Sequence, residues 1–153
     1  MPQPLSGMIR DQVHHYALRV FFEDTDLSAV VYHANYLRWF ERARSDLLDL
    51  LGIDQRASFE AGEGAYVISD LSIRYAASAR LGDTIMLETT AQNVSATSCR
   101  LVQRALRDAT LIAQMTIRVV FVGPDGRPRR QPDAWVDAYR QFAKIAGPVP
   151  DRG

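Results

Sequence analysis

The sequence lacks the features that mark several large classes of protein. Its 153 residues include one cysteine, Cys99, so no disulfide can form within the chain, and a lone cysteine on a predicted strand is typical of a packed residue. Basic and acidic residues number 18 each, so the formal net charge is zero and no basic block indicates a nucleic-acid surface. Metal-ligand spacings such as HExxH or CxxC do not occur. We therefore expect no disulfide, no metal and no nucleic-acid partner.

Long apolar runs are missing as well. No stretch approaches the roughly 20 apolar residues that a membrane helix needs, and no early segment combines a basic start, an apolar centre and a small-residue cleavage site. We expect no membrane insertion and a cytoplasmic location. The length suits one domain, which we expect to occupy residues 1–147, with 148–153 as a flexible C-terminal tail.

The spacing of apolar residues predicts a strand followed by a long helix. The half-buried strand is indicated by apolar side chains at every second position, Tyr16, Leu18, Val20 and Phe22. The period then changes to that of a helix, for which Gly52 is a suitable stop signal. The stripe that we expect to face the core consists of Tyr36, Phe40, Ala43, Leu47, Leu50 and Leu51.

The rest of the chain predicts mainly strands. Residues 53–63 are polar and irregular and predict a loop. Turn residues separate strands predicted at about 65–76, 85–92, 98–107 and 111–121, and a short amphipathic helix is predicted at 132–146. One early apolar helix followed by hairpin-linked strands indicates an α+β domain in which an antiparallel sheet wraps around a long central helix.

The connection between the first strand and the helix concentrates ionisable groups. Asp24 and Asp26 precede the predicted helix start, and His33 lies beside it. A helix start exposes backbone N–H groups without helical partners, which attract developing negative charge. A turn or capping role is the alternative interpretation of Asp26, because aspartate often has that role. The segment is nevertheless the strongest candidate site in the sequence.

Several segments carry a resemblance to a known family. Glu23-Asp24-Thr25-Asp26, Val30-Val31-Tyr32-His33, Asn35-Tyr36-Leu37 and Glu41-Arg42-Ala43-Arg44 resemble the signature of hotdog-fold acyl-CoA thioesterases. More narrowly, they resemble the YbgC-type branch of the 4-hydroxybenzoyl-CoA thioesterase family. The resemblance implies a hotdog fold, hydrolysis of an acyl-CoA to a free acid and coenzyme A, no cofactor, and a homodimer or homotetramer.

The same resemblance implies catalytic roles for two residues. Asp26 matches the family's catalytic carboxylate and would act as a general base or as the nucleophile, two routes that the sequence does not separate. His33 would orient Asp26, the water or the substrate. Backbone N–H groups around Tyr32 and His33 could polarise the substrate carbonyl. Asp24 is expected to organise the loop by accepting backbone N–H bonds.

Substrate recognition is predicted at both ends of the substrate. Tyr32 is a candidate for contact with the substrate. Candidates for lining an acyl pocket are Tyr36, Trp39, Phe40 and Tyr66, although aromatic residues at such spacings are more often core. Arg127, Arg129 and Arg130 are candidates for the phosphates of coenzyme A, because arginine binds phosphate in a bidentate manner. The alternative for these arginines is a solvated basic loop.

The chain departs from the family pattern at two positions near the site. Ala29 stands where relatives commonly have glycine, which tolerates backbone angles that alanine does not. Phe22 stands where YbgC-type enzymes can carry tyrosine. These departures support an alternative function, a weakly catalytic hotdog scaffold that binds acyl carrier protein or an envelope-associated partner. A hotdog dehydratase is a third hypothesis.

Overall fold

The computed structural model describes residue 2 and residues 5–143. Within these residues it has six strands, β1 (Met8–Arg10), β2 (Val13–Arg19), β3 (Ala65–Tyr75), β4 (Thr84–Val94), β5 (Ser98–Arg107) and β6 (Thr110–Val122). The helices are α1 (Asn35–Leu50), α2 (Gln55–Glu60) and α3 (Asp133–Ala143). The strands form one antiparallel sheet in the order β1-β2-β4-β5-β6-β3. The predicted tail, 148–153, lies outside the described residues.

The central helix packs one apolar face against the sheet. As predicted, the buried residues on α1 include Tyr36, Phe40, Ala43 and Leu47, and the structure adds Trp39 and Leu48. The chain reverses at Gly52, whose φ of +77° suits glycine. The expected burial of Leu50 is wrong, since 43% of it is exposed. The cause is the chain reversal at Gly52. There the N–H of the buried Ile53 donates to the Leu48 carbonyl, so Leu48 rather than Leu50 is the buried residue of the last helical turn.

Two further expectations from the sequence are corrected. The segment predicted as a loop, 53–63, contains α2, because the Asp54 carboxylate accepts the Ala57 N–H at 2.9 Å and caps a new helix. The strand predicted to run from Tyr16 to Phe22 is β2, which ends at Arg19, so Phe22 does not lie on its core face. Phe22 is 80% exposed and begins a single 3₁₀ turn, because the backbone of Val20 pairs with the Gly82-Asp83 turn and the chain then leaves the sheet.

The strands of the second half lie close to their predicted positions. β6 shows the predicted alternation, with Met115, Ile117, Val119 and Phe121 buried. Cys99 on β5 is buried, and burial raises the pKa of its thiol to about 12, so it is a packed residue rather than a nucleophile. β3 lies at an edge of the sheet, and apolar residues along it remain exposed, namely Val67, Ile68, Leu71 and Tyr75.

A buried polar cluster fastens α1 to β2. The imidazole of His14 is fully buried, and its Nε2 lies 2.7 Å from the Asp46 carboxylate on α1. Asp46 also accepts the Ser6 hydroxyl at 2.8 Å and the Gly7 N–H at 2.9 Å. One carboxylate therefore ties the N-terminal segment, the sheet and the central helix together. Burial lowers the pKa of His14 below its usual 6.5, although the bond to Asp46 opposes this effect.

We expect this cluster to make the fold sensitive to mild acid. Because the pKa of His14 is lowered in the folded state, the unfolded chain binds the proton first, and stability falls as the pH drops below about 6.5. The pKa of Asp46 is also lowered, since hydrogen bonds from His14, Ser6 and Gly7 outweigh its partial burial, which extends the loss to lower pH.

Thermal melting at several pH values measures this dependence. Wild-type protein should lose melting temperature on acidification, and His14→Gln should show a shallower slope. Ala17→Ser, an exposed non-titrating position on the same strand, is the control and should keep the wild-type slope. Equal slopes in all three proteins would contradict the assignment to His14.

Candidate active site

The loop between β2 and α1 is built as a small hairpin. The Asp26 N–H donates to the Val30 carbonyl at 2.9 Å, and Thr25 pairs with Val31 on the outer side. The Ala29 N–H donates to the Asp26 carbonyl at 3.2 Å. This tight reversal gives Ala29 a φ of +65°, a conformation that costs a non-glycine residue about 1–2 kcal/mol. The departure noted in the sequence is therefore a real backbone constraint.

The Asp26 carboxylate lies at the tip of this hairpin and is open to solvent. Its Oδ1 accepts the Ser28 N–H at 2.8 Å and the Ser28 hydroxyl at 2.5 Å. These bonds hold the pKa of Asp26 below its ordinary value, so the group is ionised at neutral pH. Oδ2 accepts no hydrogen bond from the described residues. Asp26 thus makes the contacts of a turn residue, its alternative interpretation, and one oxygen remains available for the catalytic role, which stays a prediction.

Asp24 connects the hairpin to the start of α1. Its side chain accepts the Phe21 N–H at 2.8 Å, as expected of a loop-organising carboxylate. Its carbonyl oxygen accepts the Tyr32 N–H at 3.0 Å and the Asn35 side-chain amide at 2.8 Å. The expectation that the Tyr32 N–H is free for a substrate is therefore wrong, because the loop itself uses this donor.

Two other amides at the helix start remain free. The N–H groups of His33 and Ala34 have no hydrogen-bond acceptor in the described part of the chain. Ala34 has helical backbone angles and precedes the first residue of α1. Free N–H groups at the positive end of a 16-residue helix are suited to stabilise an oxyanion.

The His33 side chain is exposed and lies between two aromatic rings. Its ring centroid is 4.5 Å from that of Tyr32 and 6.1 Å from that of Tyr75. Neither a hydrogen bond nor an ion pair joins His33 to Asp26 within the described residues. The structure therefore places both predicted catalytic side chains on one loop without direct contact. Tyr75 was not predicted, since it lies on β3, 42 residues away from His33 along the chain.

The predicted aromatic contacts differ in accessibility. Tyr32 is 47% exposed beside His33 and is open to a substrate. Tyr36 is buried, and its hydroxyl accepts the Ala79 N–H at 3.3 Å. Its ring packs edge-on against Trp39 and Tyr75. A substrate-binding role for Tyr36 stays a prediction.

The predicted phosphate-binding arginines lie at the other end of β3. The Val122 end of β6 pairs with Ala65, and the turn that follows carries Arg127, Arg129 and Arg130. The Arg129 side chain is already engaged, because it donates to the Glu63 carbonyl at 2.7 Å. The 11-residue β3 separates this turn from Tyr75 and His33 by roughly 30 Å at about 3.3 Å per residue. Within one chain, the arginines and Asp26 are not brought together.

Among the cavities lined by described residues, those of about 450, 410 and 460 Å³ flank α1. Asp26 and His33 line none of the three. Both residues are exposed in the single chain.

Two absences bear on the chemistry of the described residues. Within residues 2 and 5–143, no group of three or more His, Cys, Asp or Glu side chains is placed to hold a metal ion. No helix in the same part of the chain is long and apolar enough to span a membrane.

An antiparallel sheet on a long central helix, with a carboxylate-bearing loop at the start of that helix, is the arrangement that the resemblance to hotdog-fold thioesterases predicts. Residues 20–144 match the model of the Thioesterase-like superfamily, and the chain belongs to this family. Acyl-CoA thioesterase YbgC of Haemophilus influenzae is 37% identical over 112 residues, which cover 73% of this chain and 82% of that protein. The predicted YbgC-type resemblance is thereby confirmed.

Solved structures confirm the hotdog fold. A Bartonella henselae protein named "Probable Thioesterase" is 27% identical with a TM-score of 0.73, covering 78% of this chain and 99% of that one. A mutant 4-hydroxybenzoyl CoA thioesterase complexed with 4-hydroxybenzoyl CoA has a TM-score of 0.75 at 20% identity, covering 83% and 98% of the two chains. At this identity the second likeness concerns the fold.

The backbone of the hairpin generates a prediction about Ala29. Replacing Ala29 with glycine should raise the free energy of unfolding by about 0.5–1 kcal/mol, because relief of the positive φ outweighs the added entropy of the unfolded chain. Denaturant unfolding measures the change. Ala57→Gly, on exposed α2, is the matched control and should lower stability by about 1 kcal/mol. A similar loss in both variants would show that Ala29 is not strained.

Proposed function

We propose that this protein hydrolyses an acyl-CoA thioester to a free acid and coenzyme A, with the cytoplasm as the predicted location and Asp26 as the central residue. One observation carries the proposal. A solvent-open, ionised carboxylate is fixed by Ser28 on the same loop that leaves the His33 and Ala34 N–H groups without acceptors. Family membership supports the reaction class, and the Haemophilus influenzae relative is named an acyl-CoA thioesterase.

Thioester hydrolysis requires an oxygen nucleophile and stabilisation of the charge that grows on the carbonyl oxygen. As a general base, Asp26 would take a proton from water while the water oxygen bonds to the carbonyl carbon. As a nucleophile, its free oxygen would form a mixed anhydride that water then cleaves. In both routes the N–H groups of His33 and Ala34 receive the oxyanion, the carbon–sulfur bond breaks, and coenzyme A leaves as its thiolate and is protonated. The exposed His33 imidazole would orient the water or the substrate.

The proposal includes a second copy of the chain. β3 is an 11-residue edge strand with unpaired backbone groups and exposed apolar side chains, a surface that proteins normally cover. Pairing of two β3 strands across a two-fold axis is antiparallel, so the Ala65 end of one strand lies beside the Tyr75 end of the other. Arg127 and Arg130 of the partner subunit then approach the Asp26 loop of the first subunit. Within one subunit, about 30 Å separates these arginines from that loop. This pairing makes a homodimer the proposed unit, and two dimers could form a homotetramer.

Asp26→Asn tests the proposed reaction. Asparagine preserves the size of the side chain and can still accept the Ser28 bonds, but it is a poor base and nucleophile. We expect kcat for hydrolysis of a panel of short, long and aromatic acyl-CoA substrates to fall by at least about a hundredfold. The melting temperature should change little, because the carboxylate is exposed.

Asp137→Asn, at an exposed position on α3, is the matched control and should retain wild-type turnover. Hydrolysis by Asp26→Asn at the wild-type rate would remove Asp26 from its assigned role. Wild-type protein without activity on any substrate of the panel would reject the proposed reaction itself.

Mixed dimers test whether the site is shared between subunits. Asp26→Asn should be inactive, and the double variant Arg127→Ser, Arg130→Ser should bind acyl-CoA weakly. Unfolding the two variants together and refolding them produces heterodimers. In each heterodimer one site combines an intact Asp26 with intact arginines from the other chain, so kcat/KM should recover above that of either variant alone. A mixture no more active than its components would place the complete site within one subunit.

A scaffold that binds acyl carrier protein or an envelope-associated partner is the second candidate function. Ala29 supports it, because alanine stands where relatives commonly have glycine, and its side chain restricts the close approach of a substrate to this loop. Tight binding of acylated carrier protein without release of free acid would support this alternative over hydrolysis. A dehydratase would instead give an unsaturated product with an intact thioester.

A further inference from the structure

We propose that Tyr75 is a positioning residue for the oxyanion site, acting through the peptide bond between His33 and Ala34. This inference rests on the proposed thioesterase function. The Tyr75 hydroxyl donates a hydrogen bond to the His33 carbonyl oxygen at 3.1 Å. That oxygen belongs to the same peptide group as the free Ala34 N–H. The Tyr75 hydroxyl therefore contacts the opposite side of the peptide group that supplies the proposed donor.

The position of the Tyr75 hydroxyl is fixed by its surroundings. Tyr75 is the last residue of β3 and pairs with Ala113 on β6. The next two N–H groups along the chain both donate to the Ile112 carbonyl, at 2.8 and 3.1 Å, so the end of the strand cannot swing away. Its ring packs edge-on against His33 and, with a centroid distance of 5.6 Å, against the buried Tyr36.

The physical effect follows from the rigidity and polarity of the peptide group. The carbonyl and the N–H of one peptide lie in a single plane, so fixing the oxygen also fixes the direction of the Ala34 N–H. A hydrogen bond to the oxygen draws electrons toward it, which makes the N–H a stronger donor. The other donor to this oxygen is the Tyr36 N–H at the longer distance of 3.4 Å. Tyr75 therefore makes the shorter of the two bonds that hold this peptide.

The same contact links the oxyanion site to the dimer surface. Tyr75 is 43% exposed and stands on the edge strand that the second subunit is proposed to cover. A partner seated on β3 would restrict the movement of Tyr75, and through it the Ala34 N–H. Tyr75 contributes to kcat rather than to substrate affinity, because the negative charge that the Ala34 N–H stabilises develops only in the transition state.

Tyr75→Phe tests the inference, since it removes the hydroxyl and keeps the ring contacts. We expect kcat to fall roughly tenfold, less than the loss of an entire oxyanion donor, with KM unchanged. Tyr16→Phe is the matched control, because the Tyr16 hydroxyl has no hydrogen-bond partner among the described residues, and it should retain wild-type kcat. Tyr16→Phe should melt at the wild-type temperature, and Tyr75→Phe within a few degrees of it, because one hydrogen bond at the surface is lost.

A spectroscopic measurement separates positioning from a general loss of structure. The infrared carbonyl stretch of an acyl-CoA bound to Asp26→Asn should lie at lower frequency than that of the free substrate, because the N–H groups polarise it. Adding Tyr75→Phe should move it back toward the free value, whereas adding Tyr16→Phe should not.

The outcomes distinguish this inference from the function on which it rests. If Asp26→Asn abolishes hydrolysis but Tyr75→Phe has wild-type kcat and leaves the carbonyl frequency unchanged, the role of Tyr75 is overturned and the thioesterase function stands. A rise in KM at constant kcat would overturn it as well, by making Tyr75 a substrate contact. An inactive wild-type protein would overturn both.

Discussion

The backbone carbonyl of Asp24 is the point on which the candidate site depends. It accepts hydrogen bonds from the Tyr32 N–H and the Asn35 side chain, and thereby joins the hairpin that carries Asp26 to the first residue of α1. With these bonds in place, the next two amides, of His33 and Ala34, remain without acceptors. The Asp24 carbonyl thus takes up the Tyr32 N–H and leaves the two adjacent donors at the helix start free, which is the arrangement that an oxyanion site requires.

The parts of the fold that depend on local pattern could be predicted from the sequence. The helical period and Gly52 located α1, the alternation of β6 located the last strand, and the run around Asp26 and His33 marked the loop. The errors have local causes as well. Asp54 caps a helix that its polar sequence concealed, and Leu50 is exposed because Ile53 folds back toward Leu48.

Contacts between distant segments could not be predicted in the same way. Tyr75 reaches His33 across 42 residues, and His14 reaches Asp46 across 32, so no periodicity in a short window signals either contact. The sequence also assigned the arginines to the coenzyme A end of the substrate on which Asp26 would act, but it did not indicate that one chain places the two at opposite ends of β3. Because β3 is 11 residues long, a single subunit places the Asp26 loop near one end of this strand and the arginines near the other.

The central claim is that the thioester carbonyl lies between Asp26 and the free amides at the start of α1. A crystal structure of Asp26→Asn with bound acyl-CoA tests it most directly. The account predicts a carbonyl oxygen at about 3 Å from the His33 or Ala34 nitrogen, with the carbonyl carbon facing residue 26. A thioester seated elsewhere, with residue 26 turned toward bulk solvent, would contradict it.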